Sequence, residues 1–114
     1  MKKLEGFQKM YLRGLAHGLK PVIMIGQKGL TDELIKSAEQ AFHRHELIKV
    51  KFVDSKEKEQ KKEISKILEK NTESELIGAV GHVYTFFRQQ ENPEKRRIQL
   101  PQKDAASLHK TVPG

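Results

Sequence analysis

Two hydrophobic periods run along this chain, and together they predict three helices and four strands. Between Gly6 and about His17, Phe7, Met10, Tyr11 and Leu15 recur at helical spacing, while Lys9, Arg13 and His17 follow another face at every fourth position. This is an amphipathic helix with a basic stripe, closed by Gly18 and unable to continue through Pro21. Val22-Ile23-Met24-Ile25 has no polar alternation, which suits a strand covered on both faces inside a sheet. Thr31 is then a good N-cap, Leu30 and Ile35 stand at the positions of a hydrophobic staple, and Asp32 and Glu33 occupy a first helical turn. That helix runs to about Arg44 and buries Leu34, Ile35, Ala38, Ala41 and Phe42. From Leu47 to Val53, Ile48, Val50 and Phe52 alternate with Lys49 and Lys51, the pattern of a strand with one buried face.

The second half is more polar. Between Lys56 and Asn71, lysine and glutamate surround Ile64, Ile67 and Leu68, and opposite charges stand close at Glu57 and Lys61, Glu59 and Lys62, and Glu63 and Lys66. A solvent-facing helix is expected, each surface pair adding only about 0.3–0.5 kcal/mol. Leu76 to Val80 and Val83 to Arg88 read as strands around a tight Gly81-His82 turn. In the last strand Val83, Thr85 and Phe87 alternate with Tyr84, Phe86 and Arg88, and one set must face outward or against another element. Tyr84, Phe86 and Phe87 could stack on nucleic-acid bases, but aromatic residues at strand period more often form core. Charged residues follow as far as Arg97, after which Ile98 and Leu100 can dock back on the sheet. The expected organisation is one domain over residues 1–101 and a mobile tail over 102–114, where Leu108 and Val112 give little apolar surface to offset ordering entropy.

Composition narrows the partner. A chain of 114 residues can bury one ordinary core, and its formal net charge of +7 favours a polyanion, either a nucleic acid or an acidic protein surface. Cysteine is absent, which excludes disulfides, thiol nucleophiles and cysteine metal sites. No stretch approaches transmembrane length, and Glu5, Gln8 and Lys9 interrupt any apolar run behind Met1-Lys2-Lys3, so the cytoplasm is the simplest address. The histidines His17, His43, His45, His82 and His109 show no zinc spacing and no compact Ser-His-Asp set is visible. No enzyme, metal or cofactor is therefore expected.

The distinctive chemistry sits at Gly26-Gln27-Lys28-Gly29, between a strand and a helix. Its glycines allow positive φ and close backbone approach, and its position offers N–H groups and the positive end of a helix dipole to a phosphate. A G-x-x-G loop of this kind clamps a nucleic-acid backbone and leaves base edges unread. Taken alone, the four residues are equally well explained as a plain turn, and Asp32 and Glu33 already complement the dipole. The segment is too short for a P-loop and lacks the Lys-Ser/Thr pair that would follow. Lys20 and Lys28 bracket the first strand, and Lys36, Gln40, His43 and Arg44 extend the polar face from the loop along the next helix.

Beyond the loop, the chain resembles a family over about Leu4 to Pro101. The resemblance is carried by Tyr11-Leu12-Arg13-Gly14-Leu15-Ala16-His17, Leu19-Lys20-Pro21, Gly26-Gln27-Lys28-Gly29-Leu30-Thr31, His45-Glu46-Leu47-Ile48-Lys49-Val50-Lys51, Gly81, and Phe86-Phe87-Arg88. These residues are similar to stand-alone CRM domains, the chloroplast RNA splicing and ribosome maturation domains, of the bacterial YhbY type. The resemblance implies an α+β, two-layer domain in the order α-β-α-β-α-β-β, with a mixed four-stranded sheet similar to the C-terminal domain of translation initiation factor three. It also implies binding to structured RNA without catalysis, with single-domain bacterial members associated with precursors of the large ribosomal subunit, so ribosomal RNA is the expected partner; a monomer is expected independently of the resemblance. Under it the loop role falls to Gly26, Gln27, Lys28 and Gly29, and the basic surface to Arg13, Lys20, Lys36, Arg44, Lys49, Lys51 and Arg88. Phe87 departs from the tyrosine that many relatives carry before the arginine, and its hydroxyl is missing here.

Overall fold

In the computed structural model, which describes residues 3–54 and 57–102, the elements are α1 (Gly6–Ala16), β1 (Ile23–Ile25), α2 (Asp32–Arg44), β2 (Leu47–Phe52), α3 (Lys58–Thr72), β3 (Glu75–Val80) and β4 (Val83–Phe87). Local chemistry sets their ends. The Gln8 side chain accepts the Glu5 N–H at 3.0 Å before α1, Thr31 Oγ1 accepts the Leu34 N–H at 3.2 Å before α2, and Gln60 accepts the Glu57 N–H at 2.9 Å before α3. Between β3 and β4 the chain reverses at Gly81, whose φ of 60° suits glycine, and Val80 pairs with Val83 across the turn.

The strands form one sheet in the order β1-β2-β4-β3, with β1 parallel to β2 and the other neighbours antiparallel. Helices cover it on both sides, so a partial third layer joins the expected two. Under α2 and α3 lies the larger core, containing Ile23, Ile25, Phe42, Ile48, Val50, Phe52, Leu68, Tyr84 and Phe86. Under α1 lies a smaller one of Leu4, Leu12, Ala16, Leu47, Ile77 and Phe87, onto which Ile98 and Leu100 dock as expected. β4 is central, and both of its side-chain sets are buried from Tyr84 to Phe87. These aromatic rings are therefore core and offer no face to a base.

Several expectations are corrected. β1 is an edge strand of three residues, and Met24 is exposed between buried Ile23 and Ile25, so the apolar run is covered on one face only. In α1, the residues buried are Leu12 and Ala16, while Met10, Tyr11 and Leu15 face outward. The supposed basic stripe packs on the sheet instead: Lys9 Nζ lies 3.2 Å from Glu75 Oε2, and Arg13 Nη1 donates to the Ile77 carbonyl at 2.9 Å. Gly78 makes this approach possible, because a Cβ there would stand 2.6 Å from Arg13 Cδ. In α3 the buried line is Lys61, Ser65, Leu68 and Thr72, and Ile67 is exposed. Ser65 and Thr72 hydroxyls satisfy themselves on the carbonyls of Lys61 and Leu68, which lets polar residues line the buried face. Lys61 turns to the Gly81 carbonyl at 3.5 Å and His82 Nδ1 at 3.4 Å, pinning the hairpin to α3 and leaving Glu57 without it. The expected tail lies, beyond Gln102, outside the described residues.

Candidate nucleic-acid interface

The glycine loop is built by one closed turn. After β1, the Gly29 N–H donates to the Gly26 carbonyl at 3.0 Å, and Gly29 adopts φ 72°, the left-handed region that favours glycine. Gly26 does not take positive φ, and a Cβ there would meet Val53 Cγ2 at an ordinary 3.8 Å. The two glycines thus differ: the second is required by backbone conformation, whereas the first is not required by the fold. Gln27 and Lys28 are exposed at the tip, and among the described residues their backbone N–H groups have no protein partner. At the start of α2, Thr31 already takes the Leu34 N–H, and Asp32 and Glu33 complement the dipole. An anion at this corner would meet the loop's N–H groups and Lys28 before it met the helix terminus.

The other basic residues divide into groups. Lys36 is exposed near the start of α2, and Lys51 is exposed on β2, in register with Met24 of β1. Both lie at the loop end of the domain. Lys49 is one row further down β2, half-buried, with its Nζ 3.4 Å from the His17 carbonyl. Lys20 is exposed ahead of β1, at the opposite end of that strand from the loop. Arg44 ends α2, a helix of 13 residues and hence about 18 Å removed from the loop. Arg13 lies over β3 at the far edge of the sheet.

Arg88 stands apart from this surface. Its side chain is only 20% exposed, donates to Glu39 Oε1 at 2.7 Å and to the Thr72 carbonyl at 3.0 Å, and lies 5.2 Å from the centroid of Phe42. The hydrogen bond from Arg88, reinforced by the positive charge of Arg88 and by His43 beside it, holds the Glu39 carboxyl below its ordinary range against the opposing effect of desolvation. This arginine joins three elements and is occupied within the protein.

One polar residue escaped the sequence reading. Glu46 is 4% exposed between α2 and β2, and its carboxylate accepts the backbone N–H groups of Gln90 at 2.8 Å and of Arg97 and Ile98 at 2.9 Å. It fastens the segment after β4 to the domain. Its partners lie about half the chain away, so no local pattern signals the role. Among the described residues no group of three histidine, aspartate or glutamate side chains could hold a metal ion, and no helix is long and apolar enough to cross a membrane.

Comparison with known proteins adds a consistent set of relatives. Residues 4–88 match the family model described as the CRS1 / YhbY (CRM) domain. A Haemophilus influenzae protein named "RNA-binding protein" is 39% identical over 103 residues, 90% of this chain and all of that one. The Bacillus subtilis protein "Probable RNA-binding protein YqeI" is 35% identical over 98 residues, 86% of this chain and 99% of its own length. The solution structure of a hypothetical protein from Staphylococcus aureus superimposes with a TM-score of 0.73 at 37% identity, covering 87% of this chain and all of that one.

Proposed function

The chain belongs to the CRS1 / YhbY (CRM) domain family, and on that premise we propose that it is a non-catalytic RNA-binding protein that clamps ribosomal RNA of large-subunit precursors as an assembly factor. The observation that carries the reading is the loop: two backbone N–H groups without a protein partner among the described residues, at exposed Gln27 and Lys28, on a turn that glycine at position 29 makes possible. Phosphate oxygens accept from such groups, and the ammonium of Lys28 adds charge at the same corner. Lys36 and Lys51 extend the positive surface on either side. Recognition at this corner addresses the backbone, so it favours RNA by shape and charge over sequence.

The test is sedimentation of the protein from lysate on a low-salt gradient, with and without ribonuclease. Movement with large-subunit precursors that is sensitive to ribonuclease, and lost in Lys28→Ala, is the expected result. Persistence of the association after ribonuclease would overturn it in favour of an acidic protein partner. With purified RNA, Lys28→Ala should also flatten the salt dependence by about 0.7 in the slope of log K against log salt, the value for one phosphate on a single strand.

A further inference from the structure

The sheet has a largely uncovered row beside the loop, in which Val83 alone is half-buried. Pairing register sets Met24 of β1, Lys51 of β2, Val83 of β4 and Val80 of β3 side by side. Cross-strand partners share a face, and at about 4.8 Å per strand the row spans about 14 Å. The residues one step away, Ile23, Val50 and Tyr84, point into the core beneath α2 and α3. This row therefore belongs to the α1 side, but α1 stops short of it. Arg13 crosses at Gly78, and the His17 carbonyl meets Lys49, both one row lower. Val80 is 82% exposed, Met24 48%, and Val53, following β2 toward the loop, 57%.

Such a surface combines two properties that rarely meet on ordinary solvated sheet. Val83 and Val80 stand side by side with Met24 on the other flank of Lys51, and Lys51 in the row and Lys49 in the next carry positive charge with no carboxylate in either row. An apolar protein partner would be served by the valines alone; the lysines fit a ligand whose flat apolar groups hang from an anionic chain. The row also abuts the loop, because Val53 Cγ2 lies 3.8 Å from where a Gly26 Cβ would stand.

Building on the loop as backbone clamp, we propose that this row receives the bases of a single-stranded stretch of the same RNA, packed on Met24, Val83 and Val80 while Lys51 faces the phosphates. Duplex RNA keeps its base faces stacked inside and has nothing to lay there. With Tyr84, Phe86 and Phe87 buried, the bases rest on aliphatic and thioether groups, a sequence-tolerant contact.

The experiment compares an oligouridylate of about 12 nucleotides with the same oligomer made abasic in its centre, by fluorescence anisotropy across a salt series. The double variant Met24→Ser/Val80→Ser, with its fold checked by urea unfolding, should bind the intact oligomer about tenfold more weakly, bind the abasic one as wild type does, and keep the wild-type salt slope. Lys28→Ala should weaken both oligomers alike and flatten the slope. Equal affinity of the double variant and wild type for the intact oligomer, equal losses on both oligomers, or wild-type binding to duplex RNA alone would each overturn the base platform. None of these depends on the Lys28→Ala result, which tests the clamp separately. As a second readout, 4-thiouridine in the oligomer should photocrosslink wild-type peptides carrying Met24 or Val80, and crosslinks found only elsewhere would also overturn it.

Discussion

Arg88 and Glu39 share a 2.7 Å hydrogen bond that ties the residue after β4 to the middle of α2, and the same Arg88 nitrogen reaches the carbonyl of Thr72, the last residue of α3. Glu39 is held below its ordinary value, so the sign of its contribution is fixed: stability is present above the unfolded carboxylate value and is lost as pH falls through the lowered folded one. Urea midpoints of wild type and Glu39→Gln should therefore differ at neutral pH and converge as pH falls through the lowered folded value. A constant gap across that range would show that the carboxylate charge contributes nothing.

Removing the arginine should cost more than removing its partner. Arg88→Ala leaves the Thr72 carbonyl and Glu39 without their donor and strips the cation from the Phe42 ring, a loss of about 2 kcal/mol in urea unfolding. RNA affinity of the folded variant should stay within about twofold of wild type, because the side chain is engaged inside the domain.

The two loop glycines should separate stability from binding. Gly29→Ala forces a Cβ into left-handed backbone and should destabilise by about 1–2 kcal/mol. Gly26→Ala meets only Val53 at contact distance and should leave unfolding within about 0.5 kcal/mol of wild type, yet lower RNA affinity by crowding the approach to the loop. Equilibrium unfolding and anisotropy titrations of both variants check the contrast.

At Gly78 the prediction is a coupling. Gly78→Ala pushes the Arg13 side chain aside and breaks its bond to the Ile77 carbonyl, as Arg13→Ala does directly. Each should cost about 1 kcal/mol, and the double variant little more than either one. Additive costs would mean that the methyl group clashes with something other than Arg13.

Glu46 should govern the segment that follows β4. Glu46→Ala removes an acceptor shared by three backbone N–H groups and should cost about 3 kcal/mol. Amide hydrogen exchange at Gln90, Arg97 and Ile98 should rise well above that of the sheet.

Local chemistry made much of this fold readable. The Thr31 cap, the Gly81-His82 turn and the alternation of Ile48, Val50 and Phe52 each act within a few residues, and each is found where its pattern indicates. The errors arise where one residue type serves two environments. Val22-Ile23-Met24-Ile25 reads the same whether both faces are covered or one lies open, and only the placement of α1 over the other strands decides. Lys9, Arg13, Lys61 and Arg88 read as surface cations of a basic stripe, an ion pair or an RNA-binding face, yet long stems and several donors let each reach across to a carbonyl, a carboxylate or an imidazole. For the site, the loop was legible from its glycines, whereas the Met24-Lys51-Val83-Val80 row exists only once four strands are in register.

The central position of β4 also has a consequence for how the molecule is made. β1 and β2 are neighbours, and β3 pairs with neither; only β4 joins them, and it is the last strand to be synthesised. A nascent chain that ends before Val83 holds the β1-β2 pair and an unpaired β3, and each core is missing rings, Tyr84 and Phe86 from one and Phe87 from the other. Closure of both sides is thus a single late event, timed by the emergence of one five-residue strand, and until then the exposed edge of β2 waits for its partner.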